Sequence, residues 1–304
     1  MENVLERPSQ SQALTAQRPE RKAIPLLRIL AWLFLALLSL LFIVPFLWMV
    51  STSLRDPTES TATLFPATWT LRNYPDAFGF GMWGQWAINS VIITAVSVLG
   101  SVLSTALVAY SFARLRWPGR DKMFSLVLAT MMLPGIVTMI PTFILFSKLP
   151  AFGFQGSEHW TNTFLPLTIP AFAGNAFYIF LARQFMLGIP MELSEAAKID
   201  GASELRIWWS IILPLTKPAL AAIAIFAFQG AWEDFIGPLL YLQSEPLYTL
   251  QIALQQFQSA AGGAPNWPQL MAASLVIMMP VVVVFVAFQR YFIEGVTLTG
   301  MGGR

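Results

Sequence analysis

The sequence predicts an all-α membrane protein with six transmembrane helices. Three observations carry this: the composition, the length of the apolar runs and the placement of the basic residues. Of 304 residues, 56% are hydrophobic and 11% charged, whereas a soluble domain carries about 25% charged residues. Most of the chain therefore belongs in lipid. Apolar stretches that can cross a bilayer, roughly 20 residues each, run over 26–50, 86–112, 123–149, 164–187, 218–242 and 270–293. Lys and Arg concentrate in short cytoplasmic connections. Fifteen of them lie before or at the start of the first span, after the second, at or after the end of the fourth, and at or beyond the end of the last; only Arg55, Arg72 and Lys148 lie on the other side. This bias places both termini in the cytoplasm, as an even number of spans requires.

Each element follows from local chemistry. Residues 1–25 are polar and are expected to form a disordered cytoplasmic tail. The first span is too long for a signal-peptide core and has no small-residue cleavage site beyond it, so it reads as a retained helix. In the second, Gly100, Ser101, Ser104, Thr105 and Ala106 permit close approach of a neighbouring helix. Pro134, Pro141, Pro166 and Pro170 free backbone carbonyls and kink their helices, which must then pack against protein. Trp69, Trp83, Trp86, Trp160 and Trp267 fall near the outer span ends and read as an interfacial belt. The transmembrane domain covers 26–293, and 294–304 reads as a second cytoplasmic tail.

Several functions are excluded early. A net charge of +2 with no basic face gives no nucleic-acid partner. No cysteine is present, and the one histidine, His159, sits in a polar connection, so cysteine nucleophiles, thiolate or histidine metal sites and Ser-His-Asp triads fall away. No Gly-x-x-x-x-Gly-Lys-Ser/Thr loop occurs, so nucleotide phosphates have no such cradle here. A membrane enzyme would need a nucleophile and base within the spans. An ion-coupled carrier would need ionisable groups there, and only Glu233 and Asp234 qualify. Adjacent residues on a helix point about 100° apart, so those two carboxylates cannot face one partner.

The connection after the fourth span, 190–214, is patterned. Pro190 suits a first helical turn, Asp200-Gly201 is a helix stop and Ser203 caps the next start. Leu193, Ala196, Ala197 and Ile199, then Leu205, Trp208 and Trp209, give each short helix an apolar side suited to docking.

Within it, Glu195-Ala196-Ala197, then Gly201, then Ile211-x-Leu213-Pro214 match in identity and spacing the signature of the integral-membrane subunits of binding-protein-dependent ATP-binding-cassette importers, which this chain resembles. Other segments resemble the carbohydrate branch, and within it the six-span maltose-type permease subunit. They are Leu181-Ala-Arg183-Gln184-Phe185, Trp232-Glu-Asp-Phe235, Leu254-Gln255-Gln256-Phe257 and Gln289-Arg290-Tyr291-Phe292. The sequence departs from the pattern at Glu233, where the family more often has asparagine.

The resemblance implies a type I importer permease fold in a bacterial or archaeal inner membrane, with no cofactor bound by this chain. It implies two ATPase subunits carrying ATP and Mg, a second homologous permease subunit, and an extracytoplasmic solute-binding protein. Glu195, Ala196, Ala197, Gly201, Ile211, Leu213 and Pro214 would form the surface that docks on the ATPase. Gly262, Gly263 and Pro265 would lie in a loop that reaches the binding protein. Glu233 and Asp234 are candidate pathway residues. The implied solute is a sugar or oligosaccharide, with glycerol phosphodiesters or polyols as the alternative.

Overall fold

The computed structural model of the chain describes residues 25–61, 63–79, 81–260 and 266–300, and among these the side chains of all but Pro25, Ala260 and 290–300. The expected tail before residue 25, the loop residues Gly262, Gly263 and Pro265, and 301–304 lie outside the described residues.

The described residues are helical, with only the isolated bridges Arg55 to Trp69 and Pro150 to His159 in extended pairing. In order the helices are α1 (Pro25–Ser53), α2 (Asn73–Phe78), α3 (Trp83–Arg114), α4 (Arg120–Thr130), α5 (Gly135–Phe146), α6 (Leu165–Thr168), α7 (Ala176–Leu187), α8 (Glu192–Ile199), α9 (Glu204–Ile207), α10 (Leu213–Leu215), α11 (Lys217–Trp232), α12 (Ile236–Tyr241), α13 (Leu250–Ala260) and α14 (Trp267–Gly300). Four stretches are long and apolar enough to cross a membrane, namely Leu26–Ser53, Trp83–Arg114, Leu165–Leu187 and Trp267–Gln289. Two bent pairs raise this to as many as six. The last helix runs on to Gly300, past the expected end of the span at Ile293.

Two expected spans are broken. The run 123–149 is α4 and α5, which meet at 98°. Pro134 sits at the break in extended backbone, φ −61° and ψ 131°, and has no N–H to continue the ladder. The run 218–242 divides into α11 and α12 around Glu233 and Asp234.

The chain divides into two compact units, 1–49 and 50–304. In the first, α1 is apolar and exposed on every side from Leu26 to Leu47. Such a surface needs lipid or protein around it. In the second, α3 packs against α7, α11 and the 165–173 segment. Its small residues allow this. A Cβ on Gly100 would stand 2.7 Å from the Phe172 ring, while Ser97 and Ser104 donate to the carbonyls of Leu167 and Ala171, each at 3.1 Å. Those carbonyls lie in the stretch where Pro166 and Pro170 interrupt regular helix, so α3 supplies donors that the stretch itself cannot.

The tryptophan belt needs correction. Trp83 and Trp86 are 7% and 3% exposed and belong to an interior cluster with Trp232, Leu250 and Ile277. The Trp86 indole donates to the Glu245 carbonyl at 2.9 Å. Beside it, Asn89 Nδ2 donates to the carbonyls of Pro246 and Tyr248, and Ser90 Oγ accepts from Leu250 N. Polar residues on α3 therefore set the start of α13. Trp69 and Trp267 are 62% and 40% exposed and remain suited to an interface.

Candidate coupling site

The patterned connection forms two short helices joined at an elbow. α8 ends at Ile199, and Gly201 takes φ +81°, a left-handed conformation that costs any residue with a Cβ about 1–2 kcal/mol. Two backbone bonds close the turn: Gly201 N donates to Lys198 O at 3.0 Å and Ala202 N to Ala197 O at 2.9 Å. This is the reciprocal helix stop that a glycine one residue past the cap permits. Ser203 Oγ then accepts from Arg206 N at 3.4 Å and starts α9. The outgoing rod continues through a π-helical turn, Trp208–Ile212, into α10, and bends by 76° into α11.

The residues of the connection divide by burial. Ile207 and Ile212 are fully buried, Trp208 is 7% exposed, and Ile211 and Leu213 pack against the same cluster, formed with α3, α7 and α11. Trp208 also donates its indole N–H to Ala106 O at 3.3 Å. Glu195, Ala196, Gly201 and Pro214 face outward. So do Leu193, Ile199, Leu205 and Trp209, at 43%, 86%, 68% and 62% exposure. Of the residues expected to form an apolar docking side, Trp208 instead belongs to the interior and Ala197 is half-buried. The others leave an exposed apolar edge around the Gly201 turn.

Four residues that spacing did not single out tie the elbow to the bundle. Arg114, at the end of α3 and 4% exposed, donates to Ile189 O at 2.6 Å and Pro190 O at 3.3 Å. It thereby holds the chain where it enters the elbow. Glu204 accepts from Tyr110 Oη at 2.8 Å and pairs with Lys198 Nζ at 2.5 Å, bridging α3, α8 and α9. The Lys198 ammonium holds the Glu204 carboxyl below the usual carboxylate range against the opposing cost of burial, and the Tyr110 hydroxyl adds a smaller pull in the same direction as Lys198. Arg114 and Lys198 entered the charge count only as members of the basic majority. Their contacts span 75 and 6 residues of sequence, and no local pattern announces the longer one.

At the other end of α11, Glu233 is exposed and its N–H closes the helix on Gln229 O at 3.0 Å. Asp234 is half-buried and its Oδ1 accepts from Gly237 N at 3.0 Å, which fixes the start of α12. A Cβ at Gly237 would collide with that carboxylate. A cavity of about 240 Å³ nearby is lined by Gln251, Gln255 and Gln258 from one face of α13, with Phe235 and Ser274, and its lining carries no charged side chain. Among the described residues, no three His, Asp or Glu side chains stand together to hold a metal ion.

Residues 103–297 match the family described as binding-protein-dependent transport system inner membrane component. The arabinooligosaccharides transport system permease protein AraQ of Halalkalibacterium halodurans is 36% identical over 93% of this chain and all of its own length. The galactooligosaccharides transport system permease protein GanQ of Bacillus subtilis is 32% identical over 90% of this chain and 95% of its own. The sn-glycerol-3-phosphate transport system permease protein UgpE of Yersinia pestis bv. Antiqua is 31% identical over 81% and 87%. The fold matches a chain in a crystal structure of a bacterial ABC transporter involved in the import of alginate, with a TM-score of 0.76, 23% identity and coverage of 88% of this chain and 97% of that one. The chain therefore belongs to the binding-protein-dependent transport system inner membrane components, the permease subunits of ATP-binding-cassette importers.

Proposed function

We propose that this chain is one of two homologous permease subunits of an importer for oligosaccharides, in the cell membrane of a bacterium or archaeon. It crosses the membrane six times, with both termini and the Gly201 elbow in the cytoplasm. ATP and Mg bind to two separate ATPase subunits, and an external binding protein delivers the solute to the opposite face. One observation carries the reading: the elbow is a preformed apolar edge on a rigid mount. Its exposed Leu193, Ile199 and Leu205 offer a surface to dock, while Arg114, Tyr110 and Trp208 pass any tilt of that surface to α3. The excess of basic residues on the elbow's side supports the orientation.

Relatives named for arabinooligosaccharide and galactooligosaccharide transport support the sugar assignment. So does the cavity beside Phe235, whose amides and hydroxyl suit neutral hydroxylated solutes and whose lining offers no cation to a phosphate. A relative named for sn-glycerol-3-phosphate transport favours a second reading, a phosphorylated polyol.

Extraction in mild detergent tests the assembly. The chain is expected to copurify with an ATPase and a second permease, and reconstituted hydrolysis should rise when a sugar-loaded binding protein is added. Isolation as a lone chain that moves solute along an ion gradient would overturn the proposal.

A further inference from the structure

Two cavities flank the connection between α3 and α4, and Arg116 and Trp117 form a wall of both. One, of about 510 Å³, lies between the end of α3 and α8; the other, of about 420 Å³, is bounded by Arg120 and Lys122. The polar atoms around them are unbalanced. Arg114 Nε, Trp117 Nε1 and Ser194 Oγ are buried without a hydrogen-bond partner, and Arg114 and Ser194 are each 4% exposed. Buried donors in folded proteins are nearly always satisfied, and all three side chains line the larger cavity, where a ligand rich in acceptor oxygens would meet them after a small side-chain shift.

The charges point the same way. Arg120 is engaged by Asp121 at 3.0 Å, and Lys198 by Glu204 at 2.5 Å. Arg114, Arg116 and Lys122 then face only one further carboxylate among the residues lining the two cavities, Glu195. An anion would correct both imbalances. Immediately beyond the basic residues, Met123 and Leu126 of α4 are 48% and 61% exposed and begin an apolar surface. Basic residues directly cytoplasmic of a span, with an indole and apolar surface beside them, suit a phospholipid better than a free ion.

We propose that the phosphodiester of an anionic membrane phospholipid binds against Arg116 and Trp117, with its acyl chains along α4. The lipid reaches the elbow through Arg114, which holds the carbonyls of Ile189 and Pro190 with its other two nitrogens. Elbow position thus depends on the charge of the surrounding leaflet. This rests on the orientation proposed above, which puts the connection at the cytoplasmic face.

The test uses the assembled complex in nanodiscs of phosphatidylcholine alone or mixed with phosphatidylglycerol. Lipid retained after detergent exchange is counted by native mass spectrometry for the wild type and for an Arg116→Gln/Lys122→Gln variant. The wild type is expected to retain phosphatidylglycerol several-fold more than the variant, and inorganic phosphate should not displace it. Equal retention by the two proteins would overturn the proposal. Displacement by inorganic phosphate would also overturn it, in favour of a free-anion site. Retention only after the ATPase chains are stripped away would overturn it by assigning the donors to a protein interface. Counting lipid is independent of sidedness. Retention as expected, with Lys122 labelled from outside intact cells, would therefore sink the orientation and leave the site standing.

Discussion

The elbow at Gly201, before α9, and the break at Glu233 and Asp234, after α11, interrupt helix at the two ends of one stretch of chain, yet they are held very differently. The elbow is closed by two backbone bonds, capped by Ser203, bridged by Glu204 and suspended from α3 by Arg114. The break is held by the Asp234 bond to Gly237, by Gln251 Nε2 donating to Trp232 O at 3.2 Å and by the Trp232 indole donating to Ile277 O at 3.0 Å, and Glu233 stands exposed beside it. A junction fixed from several directions moves as one body with its neighbours. A junction with fewer ties bends more readily. The stretch from α9 to α11 is thus stiffer at the end where force would enter and more compliant at the end where solute would pass, which suits a subunit that converts the first into the second.

Substitutions at the two junctions test that contrast. The largest effect is expected from Gly201→Pro, because proline is confined to φ near −65° and lacks the N–H that bonds Lys198 O. Uptake should fall to background with normal membrane insertion, measured by solute accumulation and immunoblot, whereas Gly201→Ala has open space for its Cβ and pays only the backbone strain, about 1–2 kcal/mol. Arg114→Ala comes next. It removes charged hydrogen bonds worth about 1.5–3 kcal/mol each and frees the chain at Ile189 and Pro190. Hydrolysis should continue while solute moved per ATP drops. Arg114→Lys should restore only part of the ratio, since one ammonium cannot reproduce the two-pronged contact.

At the compliant junction the expected effects are smaller and specific. If exposed Glu233 offers acceptor oxygens to solute hydroxyls, Glu233→Gln should transport nearly normally and Glu233→Leu should lose uptake, with assembly and basal hydrolysis retained in both. Equal activity would reduce Glu233 to a hydrated surface residue. Loss already in Glu233→Gln would mean that charge is required.

The smallest effect belongs to Glu204. Its folded-state pKa is depressed, so its tie to Lys198 and Tyr110 is present above the ordinary carboxylate pKa and is lost as pH falls through the lower folded value. The wild-type coupling ratio should therefore hold through neutral pH and decline only below the usual carboxylate range. Glu204→Gln should give a slightly lower ratio with that acidic decline removed. Both side chains of the ion pair are nearly half exposed, which keeps the contribution small.

How much was legible in the sequence follows from how local each determinant is. The elbow turn was readable because Gly201 and Ser203 answer backbone needs within a few residues. Its suspension was not, since Tyr110 and Arg114 meet Glu204 and Ile189 across 94 and 75 residues. Arg114 looked like one more cytoplasmic charge. The 98° turn between α4 and α5 escaped because Met131, Met132 and Leu133 keep the run apolar straight through it, and hydropathy carries no direction. Pro134 marked a kink but not its size. Trp86 fitted an interfacial belt by position, and what draws it inside is distant in sequence: the cluster with Trp232, Leu250 and Ile277 and the Glu245 carbonyl 159 residues away.

The account stands most directly on the docking of the elbow. In proteoliposomes holding the full complex and a loaded binding protein, solute uptake and ATP hydrolysis should be measured together for the wild type and Glu195→Lys, a reversal of charge on the exposed face of α8. The account predicts that the variant subunit inserts normally but either loses the ATPase chains or hydrolyses ATP without moving solute. Wild-type uptake per ATP at wild-type assembly would contradict it.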